Sequence, residues 1–148
     1  HRVVPVLSER SVPDWDEAKA AAKVEKWRSV CIESIKQCGS AWLPTLEMPM
    51  TPSAAIEDAR GAEVSLIATL QSDAKHPRTH IDGYEAENGQ APKKLAIWVG
   101  PEGDYTPAEI NQIRGSALPI TLGPLVLRSE TAAIYCLAFL NYELQSRP

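Results

Sequence analysis

Residues 95–110 read LAIWVGPEGDYTPAEI, and this stretch decides the fold. Leu95 to Val99 is a continuous apolar run, the pattern of a strand covered on both faces. It breaks at Gly100-Pro101-Glu102-Gly103, where Pro101 suits the second position of a tight turn and the glycines allow close backbone approach. Thr106, Pro107 and Glu109 then provide an N-cap, a first-turn proline and the acidic member of a capping box, so a helix opens there. The carboxyl end of such a strand is where open α/β sheets bind ligands, although the four-residue turn taken alone is equally a simple strand ending. No Gly-Lys-Ser/Thr follows and no GxGxxG is present, which argues against a nucleotide-phosphate loop.

The same order recurs toward the C-terminus. Residues 120–122 read as a short strand, GPLVLR at 123–128 as a turn, and residues 129–145 as a helix. Toward the N-terminus, residues 63–70 (EVSLIATL) form the preceding strand, and Thr51 and Pro52 cap a brief helix ending near Gly61. Residues 42–48 read as a short extended stretch and residues 3–7 as a β-rich segment. Val24, Trp27, Cys31, Ile35 and Cys38 recur at steps of three and four, predicting a helix over 15–38 that Asp14 and Glu17 open and Gly39 ends. Residues 71–92 carry neither period and read as a long surface loop. Strands alternating with helices over crossovers of this length predict an α/β fold, a parallel sheet with helices on both faces.

Two features go beyond fold. Arg128 stands at a helix start, where the macrodipole disfavours a cation, so a negative partner is expected: Glu102 or Glu130 in a local ion pair, or a substrate phosphate or anionic reaction centre. The run from Ala132 to Leu140 is apolar over more than two turns, wider than one core-facing stripe, and a homodimer is the economical explanation. His76 and His80 have metal-like spacing, but no cysteine or carboxylate pattern completes a site, and no metal is expected. Cys31 and Cys136 fall within apolar helical faces and read as core fillers.

With 148 residues the chain suffices for one core without a disulfide or metal staple. Fifteen basic against 19 acidic residues give a net charge of −4, unlike a domain that grips nucleic acid unaided. An RNA substrate would therefore need help from elsewhere. No apolar run is long enough to span a membrane, and the first residues lack the apolar centre of a signal peptide. Three cysteines at spacings that match no zinc module fit a reducing compartment, so the expected location is the cytoplasm. The chain opens at His1 directly before a strand, as a piece of a longer protein would.

Together LAIWVGPEGDYTPAEI at 95–110 and LGPLVLRSETAAIYCL at 122–137 resemble the two signature segments of the ribosomal RNA small-subunit methyltransferase E family, of the SPOUT superfamily. VVPVLSERS and ESIKQCGSAWLP are also similar to its catalytic domain, so the resemblance runs through nearly the whole chain. It implies a parallel sheet with a C-terminal deep trefoil knot, a homodimer, S-adenosylmethionine as methyl donor, and N3-methylation of a uridine in 16S ribosomal RNA. The knot departs from the general rule that chains do not thread their own loops and rests on the resemblance alone. The donor site it implies comprises Leu70, Gly100, Pro101, Glu102, Gly103, Leu122, Gly123, Leu127 and Thr131, with backbone groups doing most of the binding and apolar side chains surrounding adenine.

Methylation at N3 removes an imide proton on the pairing edge, so the base must be unpaired or flipped. Arg128 is the candidate for steering phosphate or stabilising the uracil anion, with Glu130 or Glu102 orienting it. The chain departs from the family pattern at two places. Ser40 stands where many relatives carry arginine, and Asp104-Tyr105 stands where Gly-Phe is commoner. The family's N-terminal RNA-binding β-barrel has no counterpart here, which fits a catalytic-domain fragment. Two other readings stay open: a knotted methyltransferase acting on a different RNA, and a donor-binding module without transfer activity.

Overall fold

A computed structural model describes residues 1–11 and 16–145 of the chain. Its elements are β1 (Arg2–Val3), α1 (Glu17–Cys38), β2 (Thr45–Leu46), α2 (Pro52–Asp58), β3 (Val64–Ala68), α3 (Pro77–Asn88), β4 (Leu95–Trp98), α4 (Pro107–Arg114), β5 (Leu118–Ile120) and α5 (Ser129–Gln145). All pairings are parallel: β1 with β2, and β3 at the centre of a three-stranded sheet ordered β4-β3-β5.

The two faces of β3 separate the core into two layers. Ile67 packs with Trp98, Tyr105, Ile110, Ile113 and Ala55, placing α2 and α4 on one face. Val64 and Leu66 point the other way and pack with Ile81, Ile120 and Leu140, placing α3 and α5 on the opposite face. This alternation follows from the period of two along a strand. Ser65 shares the first face, where its hydroxyl accepts a hydrogen bond from Trp98 Nε1 at 3.0 Å and satisfies the indole.

Four expectations need correction. The segment over 71–92 is not a long loop, because α3 occupies Pro77–Asn88. Its caps are clear: His76 Nδ1 accepts from Arg78 N, Pro77 opens the first turn, and Gly89 closes it at φ 71°. Its apolar anchors are sparse, Pro77 and Ile81 being the buried ones, so the helical period is faint. The N-terminal strand is shorter than 3–7 because Pro5 has no N–H to donate, although Val6 still bridges to Met50. The last strand lies two residues earlier than 120–122; it is an edge of the three-stranded sheet, where Pro119 is tolerated. Helix α1 begins at Glu17 with Asp16 as N-cap, and Asp14 lies outside the described residues.

Helix α5 buries Ala132, Cys136, Leu140 and Glu143 along one stripe, while Ile134 and Leu137 are 67% and 58% exposed. Arg78 holds the buried Glu143 through two guanidinium contacts, joining α3 to α5. Cys136 is a core residue whose thiol pKa is pushed up to about 11 by burial, and Cys31 is half-buried. No helix among the described residues is long and apolar enough to cross a membrane.

Candidate functional site

Because β3, β4 and β5 run parallel, their carboxyl ends lie on one edge, and the segments that follow them converge. Together they line a cavity of about 480 Å³, within the range of small-molecule sites. Leu70, Gly100, Pro101, Glu102, Leu122, Gly123, Leu127 and Arg128 all line it. Gly103, Glu130 and Thr131 do not: Gly103 lies behind the turn against the Arg10 side chain, and the other two are exposed on the first turn of α5. Sequence reasoning missed Thr69, Gln71, Ser129 and Ala132, which also line the cavity. Knowing that β3 stops at Ala68 would have flagged the first two; Ala132 is visible only once α5 is rotated into place.

The turn after β4 is held from inside. Asp104 N donates to Pro101 O at 2.9 Å, and the Tyr105 hydroxyl donates to Val99 O at 3.1 Å. Tyr105 is 3% exposed, and burial, reinforced by the charges of Glu109 and Asp104, raises its phenol pKa above the ordinary value. A Cβ on Gly100 would stand 2.7 Å from Asp104 Oδ1 and 3.3 Å from Asp104 Cα and Tyr105 N, so a side chain there would press on the returning chain. Asp104 itself has φ 58°, the left-handed region where glycine is unstrained and Asp is among the better-tolerated substitutes. Its carboxylate accepts from Tyr105 N at 2.7 Å, so this departure from the family's Gly-Phe has a local structural explanation. Gly123 has φ 112° and open space around its Cβ position, so a side chain there would fail through backbone strain and not through a clash.

Beneath the turn, Glu109 Oε2 accepts from Thr106 N at 2.8 Å and its Oε1 accepts from Glu9 N at 2.9 Å. Burial pushes the Glu109 carboxyl pKa upward, but these backbone donors, the Thr106 hydroxyl and nearby Arg10 outweigh it and hold the pKa below the ordinary value.

Arg128 immediately precedes α5, and its carbonyl accepts the helical bond from Ala132 N at 2.8 Å. Its side chain is exposed and, among the described residues, forms no ion pair with Glu102, Glu130 or any other carboxylate. The local ion pair considered from sequence is therefore not formed. An unpaired cation and a helix N-terminus share one side of the cavity, with Glu102 and Asp104 also in its lining.

The histidines do other work. His76 caps α3 and meets Phe139 edge-on at 5.7 Å, and His80 Nε2 is 3.1 Å from Pro119 O. Among the described residues no cluster of three or more His, Cys, Asp or Glu could hold a metal. Ser40 is away from the cavity; its hydroxyl accepts from Trp42 N at 3.2 Å just beyond the α1 C-cap.

Residues 1–141 match the RNA methyltransferase domain family. The chain belongs to that family. This RNA methyltransferase domain is 28% identical over 144 residues to ribosomal RNA small subunit methyltransferase E of Synechocystis, a match covering 96% of this chain and 45% of that protein. Among solved structures, it is similar to a Legionella pneumophila protein described as a methyltransferase in complex with the cofactor S-adenosylmethionine (TM-score 0.83, 32% identity, 95% of this chain and 54% of that one). It is also similar to a Neisseria gonorrhoeae ribosomal RNA small subunit methyltransferase E bound to S-adenosylmethionine (TM-score 0.75, 25% identity, 93% of this chain and 53% of that one). The chain spans about half the length of the curated relatives it matches.

Proposed function

We propose that this domain binds S-adenosylmethionine at the carboxyl ends of β3, β4 and β5 and methylates N3 of a uridine in 16S ribosomal RNA of the small subunit, working in the cytoplasm as a homodimer. The observation that carries the reading is the convergence of three strand-ending segments on one cavity with apolar walls and an arginine that forms no ion pair among the described residues. The residues fit the donor: Leu70, Leu122, Leu125 and Leu127 offer apolar surface for an adenine, and Glu102 and Asp104 are negative groups suited to the donor's positive end. When bound, S-adenosylmethionine supplies an electrophilic methyl group on sulfonium.

The rest of the chemistry falls to the chain. Loss of the imide proton to solvent water leaves negative charge on the uracil edge, and Arg128 with the α5 N-terminus provides the positive field to meet it. Glu130, on the exposed first turn of α5, is left to orient an incoming RNA group or Arg128 itself once substrate is bound. Positioning of the reacting atoms in line is the larger part of the rate.

Two further parts of the reading have their own support. The β5 segment lies between β3 and Lys75: Thr121 N donates to Lys75 O and Lys75 N to Pro119 O, while β3 pairs along the other edge. A late strand lying between β3 and the connection that leaves it supports the knot reading, which further requires the chain to thread a loop. The exposed Ile134 and Leu137 on α5 form the apolar surface that a second copy would cover.

The test is incubation of the protein with labelled S-adenosylmethionine and undermethylated small subunits, followed by mass mapping of the modified nucleoside. Label at N3 of a 16S uridine is expected. Label on another RNA would move the substrate, and absence of any donor binding by calorimetry would overturn the reading at its first step.

A further inference from the structure

The turn that forms one wall of the cavity is held from within by Tyr105, yet its outer side faces the N-terminal segment. Arg10 Nη1 donates to Gly103 O at 2.7 Å, and the Arg10 aliphatic stem lies 3.5 Å from where a Cβ on Gly103 would stand. One residue earlier, Glu9 N donates to Glu109 in the first turn of α4. Ser8 and Ser11 close the same segment into a turn, with Ser11 N donating to Ser8 O at 3.0 Å and Ser11 Oγ to the same oxygen at 2.6 Å. Ser8 is buried, so this turn is anchored and does not simply drape over the surface.

We infer that Arg10 is a positioning residue for the donor site: it fixes the Gly103 carbonyl from behind and thereby sets where Gly100 to Glu102 stand in the cavity. The inference rests on the donor-site reading above. Arg10 itself does not line the cavity. Lysine keeps an aliphatic stem and one donor but not the planar guanidinium, so it is a partial substitute.

The experiment compares the wild-type chain with Arg10→Ala and Arg10→Lys. Calorimetry with S-adenosylmethionine is run beside hydrogen exchange at Asp104 and Tyr105. Arg10→Ala is expected to weaken donor binding roughly three- to tenfold, the scale of the net contribution of one exposed hydrogen bond. Exchange at the two turn amides should quicken while the β3 amides stay protected, and Arg10→Lys should recover part of both effects. Unchanged affinity and exchange in a folded Arg10→Ala chain would overturn the inference. So would weakened binding accompanied by equal loss of protection across β3, which marks general destabilisation. If the wild-type chain binds no donor, the donor-site reading fails, whereas the exchange comparison still decides whether Arg10 holds the turn.

Discussion

Replacing Glu109 with alanine removes a buried carboxylate that accepts from Thr106 N at 2.8 Å and from Glu9 N at 2.9 Å. Each donor left without a partner costs about 1–2 kcal/mol, so Glu109→Ala should lose about 2–4 kcal/mol. For a chain of this size that lowers the urea midpoint by about 1–2 M. Glu109→Gln keeps one acceptor oxygen and should fall between the two. The pH dependence has a definite sign. The folded pKa of Glu109 lies below its ordinary value, so the carboxylate's contribution is complete above the unfolded pKa and is lost as pH falls through the folded one. The stability gap between wild type and Glu109→Gln should accordingly narrow on acidification from about pH 5 downward. Urea titrations at several pH values measure both effects. A loss below about 1 kcal/mol for the alanine variant, or a gap that widens in acid, would refute the reasoning.

Asp104→Gly relieves the left-handed backbone but gives up the bond to Tyr105 N, so stability should stay within about 1 kcal/mol of wild type; a loss beyond that in thermal unfolding would mean the carboxylate matters more than the strain. If the proposed homodimer forms through α5, Leu137→Glu on its exposed face should convert it to a folded monomer in sedimentation, and a dimer of undiminished affinity would put the interface elsewhere. Arg128→Ala should leave donor binding nearly intact and slow methylation about a hundredfold in single-turnover assays on small subunits, with poor rescue by Arg128→Lys. A normal rate there would remove Arg128 from the chemistry.

The two cavity turns were legible because their grammar is local: an apolar run, a Gly-Pro turn, then a cap. Thr106, Pro107 and Glu109 form the capping box expected of them. Helix α3 escaped because its stability comes from tertiary contacts, the burial of Ile81, the Arg78–Glu143 pair and the His80–Pro119 bond, which leave little periodic trace in a polar segment. Arg128 stood out because a cation at a helix start opposes the dipole, a sign readable without coordinates. Arg10 did not, because nothing in VLSERS announces a carbonyl 93 positions away. The resemblance puts Gly103 and Thr131 with the donor and Glu130 beside Arg128, each as part of a contiguous motif. Contiguity does not make a wall: a turn shows one side to the cavity and the other to its support, and Gly103 faces the support.

That division between the two sides of the turn bears on how an acidic domain could act on RNA. The net charge of −4 disfavours a broad electrostatic grip, and the cavity lining holds two carboxylates against one arginine. The favourable field is therefore local, from Arg128 and the α5 N-terminus together, and it acts over roughly a Debye length of 8–10 Å at physiological salt. A field of that reach can stabilise charge on a base already delivered to it, but it contributes little to holding a long RNA backbone. On the proposed reading the chain divides the task accordingly: rigid turns braced from behind set the position of the reacting groups, Arg128 meets the charge that develops, and the affinity for the ribosomal subunit comes from surfaces beyond this cavity. The rate of the chemical step should then depend weakly on salt even where RNA capture depends on it strongly, because one short-range cation, unlike a phosphate-tracking patch, releases few counterions.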